Sequence, residues 1–338
     1  MKRHKICKII FAILAVFLCV AFYELIGICV TYKKQPAVSD ATIKETQNIM
    51  SVAGRENTER AVIIEKNSQA LLERVRLIQN AKDEIILSTF AFKSDESGKL
   101  ILGALHDAAD RGVHVRILVD GMESWIDMEG NPYFYGLSSH ENVEIKLYNK
   151  ANPLKPWKTM GRMHDKYLIA DGKIYILGGR NTYNYFLGDF PGHKNFDRDV
   201  LVVCDEPQKD NSVNQLWNYF ETIWEQEDCR YFHNSKKLAD RQSVKKAVLE
   251  LQEGYQQYFE VNKEKICDTD YADETFETEK ITLLSNPIHT QAKEPVVWYQ
   301  LGELMKNAKE RVKIHTPYII CNDMMYNTWE EIAQKVTD

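Results

Sequence analysis

Polar residues at a fixed spacing interrupt an otherwise apolar run in the segment GRMHDKYLIADGKIYILGGRN, residues 161–181. Its chemically active residues and glycines are His164, Lys166, Asp171, Gly178, Gly179 and Asn181. His164 and Lys166 are two positions apart in a predicted strand, so their side chains lie on the same face. That face is not ordinary core, because a lysine is rarely buried without a partner. An imidazole beside an ammonium group suits an anionic substrate: the imidazole attacks or transfers protons, and the cation holds phosphate oxygens.

Neighbouring residues add groups that can bind phosphate. Gly179 lets the backbone approach a ligand closely, and Asn181 can present its amide at the same place. Arg162, with Lys155 and Lys158, makes this part of an acidic chain locally basic, although such residues more often belong to a solvated loop, and Arg162 is the best candidate of the three for guiding phosphate. The expected phosphate-binding residues are Lys166, Asn181, Gly179 and Arg162.

The spacing His-x-Lys-x4-Asp-x6-Gly-Gly-x-Asn resembles the HKD signature of the phospholipase D superfamily at all of its fixed positions. The resemblance extends over about residues 64–225. Together with the apolar N-terminal segment, it is similar to the bacterial cardiolipin synthase-like branch. The resemblance implies a phospholipase D-like fold and an enzyme that cleaves or exchanges phosphodiesters without a metal or other cofactor.

The resemblance also implies a role for each residue of the signature. His164 would be one of two histidines, of which one attacks phosphorus to give a phosphohistidine and the other protonates the leaving alcohol. Lys166 and Asn181 would hold the phosphoryl oxygens. Asp171 completes the catalytic set, and we expect it to orient the site or fix the turn rather than to touch the substrate.

A second copy of the signature is missing from this sequence. A homodimer would supply the second histidine if the chain is complete. The alternative is a two-motif enzyme of which this chain is a part. An internal repeat favours the alternative, because LIQNAKDEIILSTFAF (77–92) and LMKNAKERVKIHTPYI (304–319) both read as a helix end leading into a strand.

The elements around the signature alternate between strands and helices. Helical spacing of apolar residues predicts helices over 68–81, 97–112 and 211–226. Strands are predicted over 84–92, 113–121, 143–149, 166–171, 174–179 and 199–203. The strand–helix–strand order implies a parallel βαβ unit, and Asp171-Gly172 implies a hairpin. We therefore predict an α/β fold: a phospholipase D-like mixed β-sheet flanked by helices, with the start of a second similar domain at the C-terminus.

The N-terminus is apolar over residues 9–23 and 25–32, which together can span a bilayer. We expect one N-terminal transmembrane helix that anchors the chain in the cell membrane; a cleaved signal peptide is the competing interpretation. Four basic residues precede the segment and two follow it, which favours an extracytoplasmic position for the rest of the chain. The predicted divisions are a transmembrane anchor (1–32), a stalk (33–63), a catalytic half-domain (64–226), a connector (227–280) and the beginning of a second half-domain (281–338).

The net charge of the chain helps to choose between possible substrates. Residues 33–338 contain 39 basic and 48 acidic residues, a net charge of −9, so no nucleic acid is expected as a partner. The leading hypothesis is a membrane-anchored phospholipase D-like phosphodiesterase or phosphatidyltransferase, cardiolipin synthase-like, with phospholipid and membrane as partners. The alternatives are a nuclease of the same superfamily, or a membrane-bound binding module that is catalytically incomplete without the second motif.

Overall fold

Two units make up the computed structural model, which describes residues 2–51, 58–152, 154–316 and 318–336. The first unit combines residues 1–55 with 282–338, and the second, here the sheet domain, consists of residues 56–281. Part of the predicted stalk, residues 52–57, lies outside the described residues, as does position 317 of the internal repeat.

A nine-stranded mixed sheet forms the centre of the sheet domain, as predicted. Its strands are β1 (Arg60–Ile64), β2 (Glu84–Thr89), β3 (His114–Asp120), β4 (Val143–Tyr148), β5 (Tyr167–Ala170), β6 (Ile174–Gly178), β7 (Asp199–Val203), β8 (Cys229–Tyr231) and β9 (Phe276–Glu277). They lie in the order β8-β4-β3-β2-β5-β6-β7-β1-β9. Strands β2, β3 and β4 are parallel, and every other neighbouring pair is antiparallel.

Because β5 runs antiparallel to β2, the start of β5 and the end of β6 lie beside the carboxyl ends of the parallel strands. We call this edge the site edge. It collects the residues that follow β2, β3, β4 and β6 and those that precede β5. Ligands of open α/β sheets bind at such an edge, outside the carboxyl ends of the parallel strands.

Helices cover both faces of the sheet. They are α3 (Asn67–Asn80), α4 (Glu96–Asp110), α5 (Glu123–Met128), α6 (Pro132–Ser138), α7 (Ser212–Trp224) and α8 (Gln242–Ile266). Side chains along β3 point alternately to the two faces of the sheet. On one face, Val115 and Ile117 pack in the apolar core with residues of α3 and α4. Arg116 points the other way, and its guanidinium lies 4.8 Å from the ring centre of Phe220 in α7. The prediction of a sheet flanked by helices is confirmed.

The first unit is helical, with α1 (Lys2–Tyr32), α2 (Asp40–Ser51), α9 (Val296–Lys306) and α10 (Asp323–Lys335). Within α1, the most apolar 18-residue stretch of His4–Tyr32 has a mean hydropathy of 2.7, and the helix is long and apolar enough to cross a membrane. Glu294 Oε1 accepts hydrogen bonds from Ser39 N at 2.7 Å and from Thr42 Oγ1 at 2.6 Å, which fixes the start of α2.

The predicted stalk contains α2 and β1, and the predicted connector contains the 25-residue helix α8 together with the edge strands β8 and β9. The strand expected within 304–319 is not formed by the described residues 308–316 and 318–320. A strand needs a hydrogen-bonded neighbour, and none of the described residues of this unit supplies one.

A buried ion cluster joins α3 to β7 and to the segment after β6. The carboxylate oxygen Asp199 Oδ2 lies 2.9 Å from Arg74 Nη1 and 3.3 Å from Arg180 Nη1, and all three side chains are buried. Burial lowers the pKa of Arg180, and the carboxylate of Asp199 opposes that effect. Arg180 also donates to Ile64 O at 3.2 Å, so one residue of the signature segment ties β1 to β7.

We expect Asp199→Asn to destabilise the sheet domain by about 3–5 kcal/mol, because it leaves two arginines buried without a compensating charge. The check is the thermal midpoint of the full chain in detergent, with Asp205→Asn as the matched control. Asp205 is exposed and lies just beyond the same strand. An Asp199→Asn chain that melts together with the Asp205→Asn chain would contradict the prediction.

Candidate active site

His164 lies at the site edge, in the irregular segment that precedes β5. Its ring packs against Phe90, which follows β2, with the ring centroids 4.5 Å apart. The rest of the imidazole is exposed to solvent. A ring nitrogen of His164 is therefore open to a ligand, while Phe90 limits the movement of the ring.

Asp120, the last residue of β3, fixes the chain just before His164. Only 1% of Asp120 is exposed. Its Oδ2 accepts a hydrogen bond from Met163 N at 3.1 Å, and its Oδ1 accepts from Met122 N at 2.9 Å. Asp120 holds both the turn after β3 and the segment that carries the histidine.

Arg162 lies next to His164, but its charge is already paired. Arg162 Nε donates to both carboxylate oxygens of Asp120, at 3.1 and 3.0 Å, and Nη2 donates to Oδ1 as well. This pairing raises the pKa of Arg162. The expected phosphate ligand is thus a positioning residue in this structure, and its guanidinium lies 5.4 Å from the ring centre of Phe90.

Lys166 is the buried cation of the site, with 6% of its surface exposed. Its ammonium donates to the backbone oxygen of His164 at 2.6 Å and lies 5.2 Å from the ring centre of Phe90. Burial lowers the pKa of Lys166 to about 8, although Asp165 and Asp197 act in the opposite direction. An ammonium group has three donors, so two remain available beyond the bond to His164 within the described part of the chain.

The pKa of His164 is lowered from its usual value of 6.5. Burial is the largest cause, and the cations of Lys166 and Arg162 act in the same direction, opposed by Asp120. Since the ordinary value already lies below 7, the ring is mostly neutral at neutral pH. A neutral ring keeps the lone pair that nucleophilic attack or proton acceptance requires.

The glycines after β6 are needed for the close approach of protein backbone. A Cβ on Gly178 would lie 2.5 Å from Arg198 O, and one on Gly179 would lie 2.1 Å from Asp197 Oδ2. The Gly179 amide donates to Arg198 O at 3.4 Å. Contrary to expectation, that amide is engaged by the protein, and the space beside Gly179 is filled by the segment that leads into β7.

Asn181 is buried at the site edge, and its amide oxygen accepts a hydrogen bond from Ala91 N at 3.1 Å. This bond fixes the side chain to the segment that follows β2. The amide nitrogen of Asn181 is consequently the group that can donate to an anion beside Lys166. Of the expected phosphate-binding residues, Lys166 and Asn181 keep donors for a ligand.

Asp171 lies at the opposite end of β5 from His164. Its carboxylate accepts hydrogen bonds from the backbone amides of Lys82, Asp83 and Glu84, at 2.9, 2.8 and 3.0 Å. Asp171 lies seven positions after His164 along near-extended chain, roughly 20 Å at about 3.3 Å per residue. Asp171 therefore anchors the β5–β6 turn to the start of β2, in line with the expectation that it fixes the turn, and as a member of the catalytic set it would act through the fold and not by contact with the reacting group.

Removing this anchor should reduce stability more than chemistry. We expect Asp171→Ala to cost roughly 1–3 kcal/mol, because several backbone donors lose a charged acceptor. Asp171→Asn keeps one acceptor oxygen and should lose less. The measurements are the thermal midpoint and the turnover number. A thousandfold loss of turnover in a normally stable Asp171→Ala chain would instead give Asp171 a direct role in the reaction.

Residues 75–224 match the family described as "Cardiolipin synthase, PLD-like domain". These residues form a phospholipase D-like domain. That domain includes β2 to β7, α4 and α7, and thus all of the signature residues.

Relatives of the phospholipase D-like domain include longer proteins. An uncharacterized protein of Helicobacter pylori (strain ATCC 700392 / 26695) is 27% identical over 82% of this chain and 58% of its own length. Cardiolipin synthase C of Escherichia coli (strain K12) is 29% identical over 41% of this chain and 31% of its own length. The chain thus spans well under two thirds of either relative. Among solved structures, Nuc of Salmonella typhimurium, a phospholipase D family member, has a TM-score of 0.37 and 20% identity, covering 53% of this chain and all of that one.

Sequence reasoning missed Phe90. Its ring is the common contact of His164, Lys166 and Arg162, and it supports the histidine from the neighbouring strand. The available signal was its position directly after β2, a predicted strand of the parallel unit, since the carboxyl ends of such strands form the binding edge.

Proposed function

We propose that this chain is a membrane-anchored phospholipase D-type phosphodiesterase or phosphatidyltransferase, cardiolipin synthase-like, which acts through a phosphohistidine at His164. One observation carries the proposal: a solvent-accessible imidazole with a lowered pKa lies beside a buried lysine ammonium. The apolar helix α1 supports a membrane substrate.

The reaction follows from these groups. A ring nitrogen of His164 attacks the phosphorus of a phosphodiester; the new P–N bond forms as the P–O bond to the leaving alcohol breaks. The Lys166 ammonium and the Asn181 amide donate to the non-bridging oxygens, where charge increases in the transition state. Water or an alcohol then attacks phosphorus and releases His164, so water gives hydrolysis and an alcohol gives transfer.

The leaving alcohol needs a proton, and a second histidine is the donor that this mechanism calls for. Among the described residues, the charged groups that perturb His164 are Lys166, Asp120 and Arg162, and no second histidine is among them. The proton donor then comes from a second copy of the chain or from the second half-domain of a two-motif protein.

The test is lipid turnover by the full chain reconstituted in phosphatidylglycerol vesicles, followed by mass spectrometry of the lipids. We expect cardiolipin with release of glycerol if transfer dominates, or phosphatidic acid with release of glycerol if water is the acceptor. Equal lipid profiles for the parent and the His164→Ala chain would favour the binding module instead. Cleavage of DNA at low salt without lipid turnover would favour the nuclease.

A further inference from the structure

Four large apolar side chains around the candidate active site are exposed to solvent. They are Ile126 (76% exposed), Leu154 (78%), Met160 (59%) and Phe196 (77%), and we call them the apolar rim. Single exposed apolar residues are common on soluble proteins, but a group of large ones around one site marks a surface for binding.

The rim residues come from three segments that are all held at the site edge. Ile126 belongs to α5, which follows β3 and is tied to the site because Ser124 Oγ donates to Phe90 O at 2.8 Å. Phe196 immediately precedes Asp197, whose carboxylate lies against Gly179.

Leu154 and Met160 lie in the segment between β4 and β5. The Asn149 amide nitrogen pins this segment by donating to Lys158 O at 2.6 Å and to Gly161 O at 2.7 Å. Its start also contacts α5, since the Lys150 ammonium lies 4.9 Å from the ring centre of Trp125.

The residues between the rim side chains suit the head-group layer of a membrane. Trp125 and Trp157 are half-buried, and Lys150 and Lys155 are exposed. Tryptophan prefers the membrane–water interface, and exposed lysines beside apolar side chains favour anionic lipids. Acids are present here as well: Glu123 and Glu129 of the α5 segment are exposed, and Glu123 raises the pKa of Arg162.

We propose that the apolar rim inserts into the interfacial layer of an anionic phospholipid bilayer and so brings lipid phosphates to His164. This inference rests on the proposed function for its purpose, because a phosphodiester in a head group lies at the depth that a shallowly inserted rim would reach. The helix α1 favours a bilayer as the partner, because it is long and apolar enough to cross a membrane. A second copy of the chain is the other occupant that the same side chains could contact.

The experiment replaces single residues of the full chain with the photocrosslinker p-benzoylphenylalanine. The rim positions are Phe196 and Ile126. The controls are Val261 and Leu249 on α8, which are also large, apolar and exposed. Phe17 within α1 reports that crosslinking to lipid works. Each chain is reconstituted in phosphatidylglycerol vesicles and irradiated, and peptide mass spectrometry measures the lipid adducts.

We expect lipid adducts at Phe196 and Ile126 at least about fivefold more abundant than at Val261 and Leu249, since inserted side chains stay in contact with lipid. Equal adducts at rim and control positions, adducts at Phe17 alone, or a crosslinked protein dimer at the rim would overturn the inference. Crosslinking does not require turnover. A chain with lipid adducts at the apolar rim but without lipid turnover would therefore contradict the proposed function and still support membrane insertion of the rim.

Discussion

His164→Ala should lower the rate of phosphodiester cleavage by about a thousandfold or more, because it removes the atom that we propose forms the covalent bond to phosphorus. The same change should abolish the acid-labile phosphoryl adduct in a chain quenched during turnover. The fold should be unaffected, since the imidazole is exposed and its one ring contact is with Phe90. The measurement is single-turnover cleavage together with the intact mass of the quenched chain.

His193→Ala is the matched control for this loss. His193 is exposed, and its ring lies 5.4 Å from that of Tyr185 rather than beside Lys166. We expect its rate to stay within about twofold of the parent, as is usual for surface changes away from the reacting groups. Equal losses in both variants would place the nucleophile elsewhere, and an adduct that persists in the His164→Ala chain would do the same.

The strands and helices near the signature could be predicted because each has a clear period. Residues 113–121 alternate and end at Asp120-Gly121, and the structure forms β3 over His114–Asp120. The weakly patterned ends of the domain could not be assigned in this way. In α8, the apolar residues that face the core are outnumbered by charged and polar ones, so their helical spacing is weak in the sequence. The edge strands β8 and β9 have only three and two residues, which is too short for a period to be recognised.

The spacing of the signature predicts that His164 and Lys166 act together, but both lie just before β5 and not in a strand as expected: His164 is exposed and Lys166 is buried. The roles of Phe90 and Asp120 depend on strand order. Because β2 lies between β3 and β5, the residues that follow β2 and β3 meet the residues before β5. Asp171 shows the converse: it is close to His164 in sequence, yet the extended strand between them carries it to the opposite end of the sheet.

Lys166 should set the alkaline limit of activity. Its pKa is lowered to about 8, so the ammonium loses its proton above that pH and no longer stabilises the phosphoryl oxygens. We expect kcat/KM to fall about tenfold per pH unit above pH 8, because kcat/KM reports the free protein. The alkaline decline in kcat should begin at a higher pH than the decline in kcat/KM, because bound anionic substrate stabilises the ammonium. Below pH 8, Lys166→Met should lose about a hundredfold or more relative to the parent, and this gap should narrow at higher pH because the parent then loses the same charge.

Two variants distinguish Lys166 from another titrating group. Lys166→Arg keeps its charge at high pH, so its kcat/KM should lack the alkaline limb whatever its absolute rate. Lys166→Met should move the acid limb to higher pH, because the lysine cation helps to lower the pKa of His164. If the alkaline limb persists unchanged in the Lys166→Arg chain, it belongs to the group that protonates the leaving alcohol. Lys166 would then bind phosphate without controlling the pH dependence.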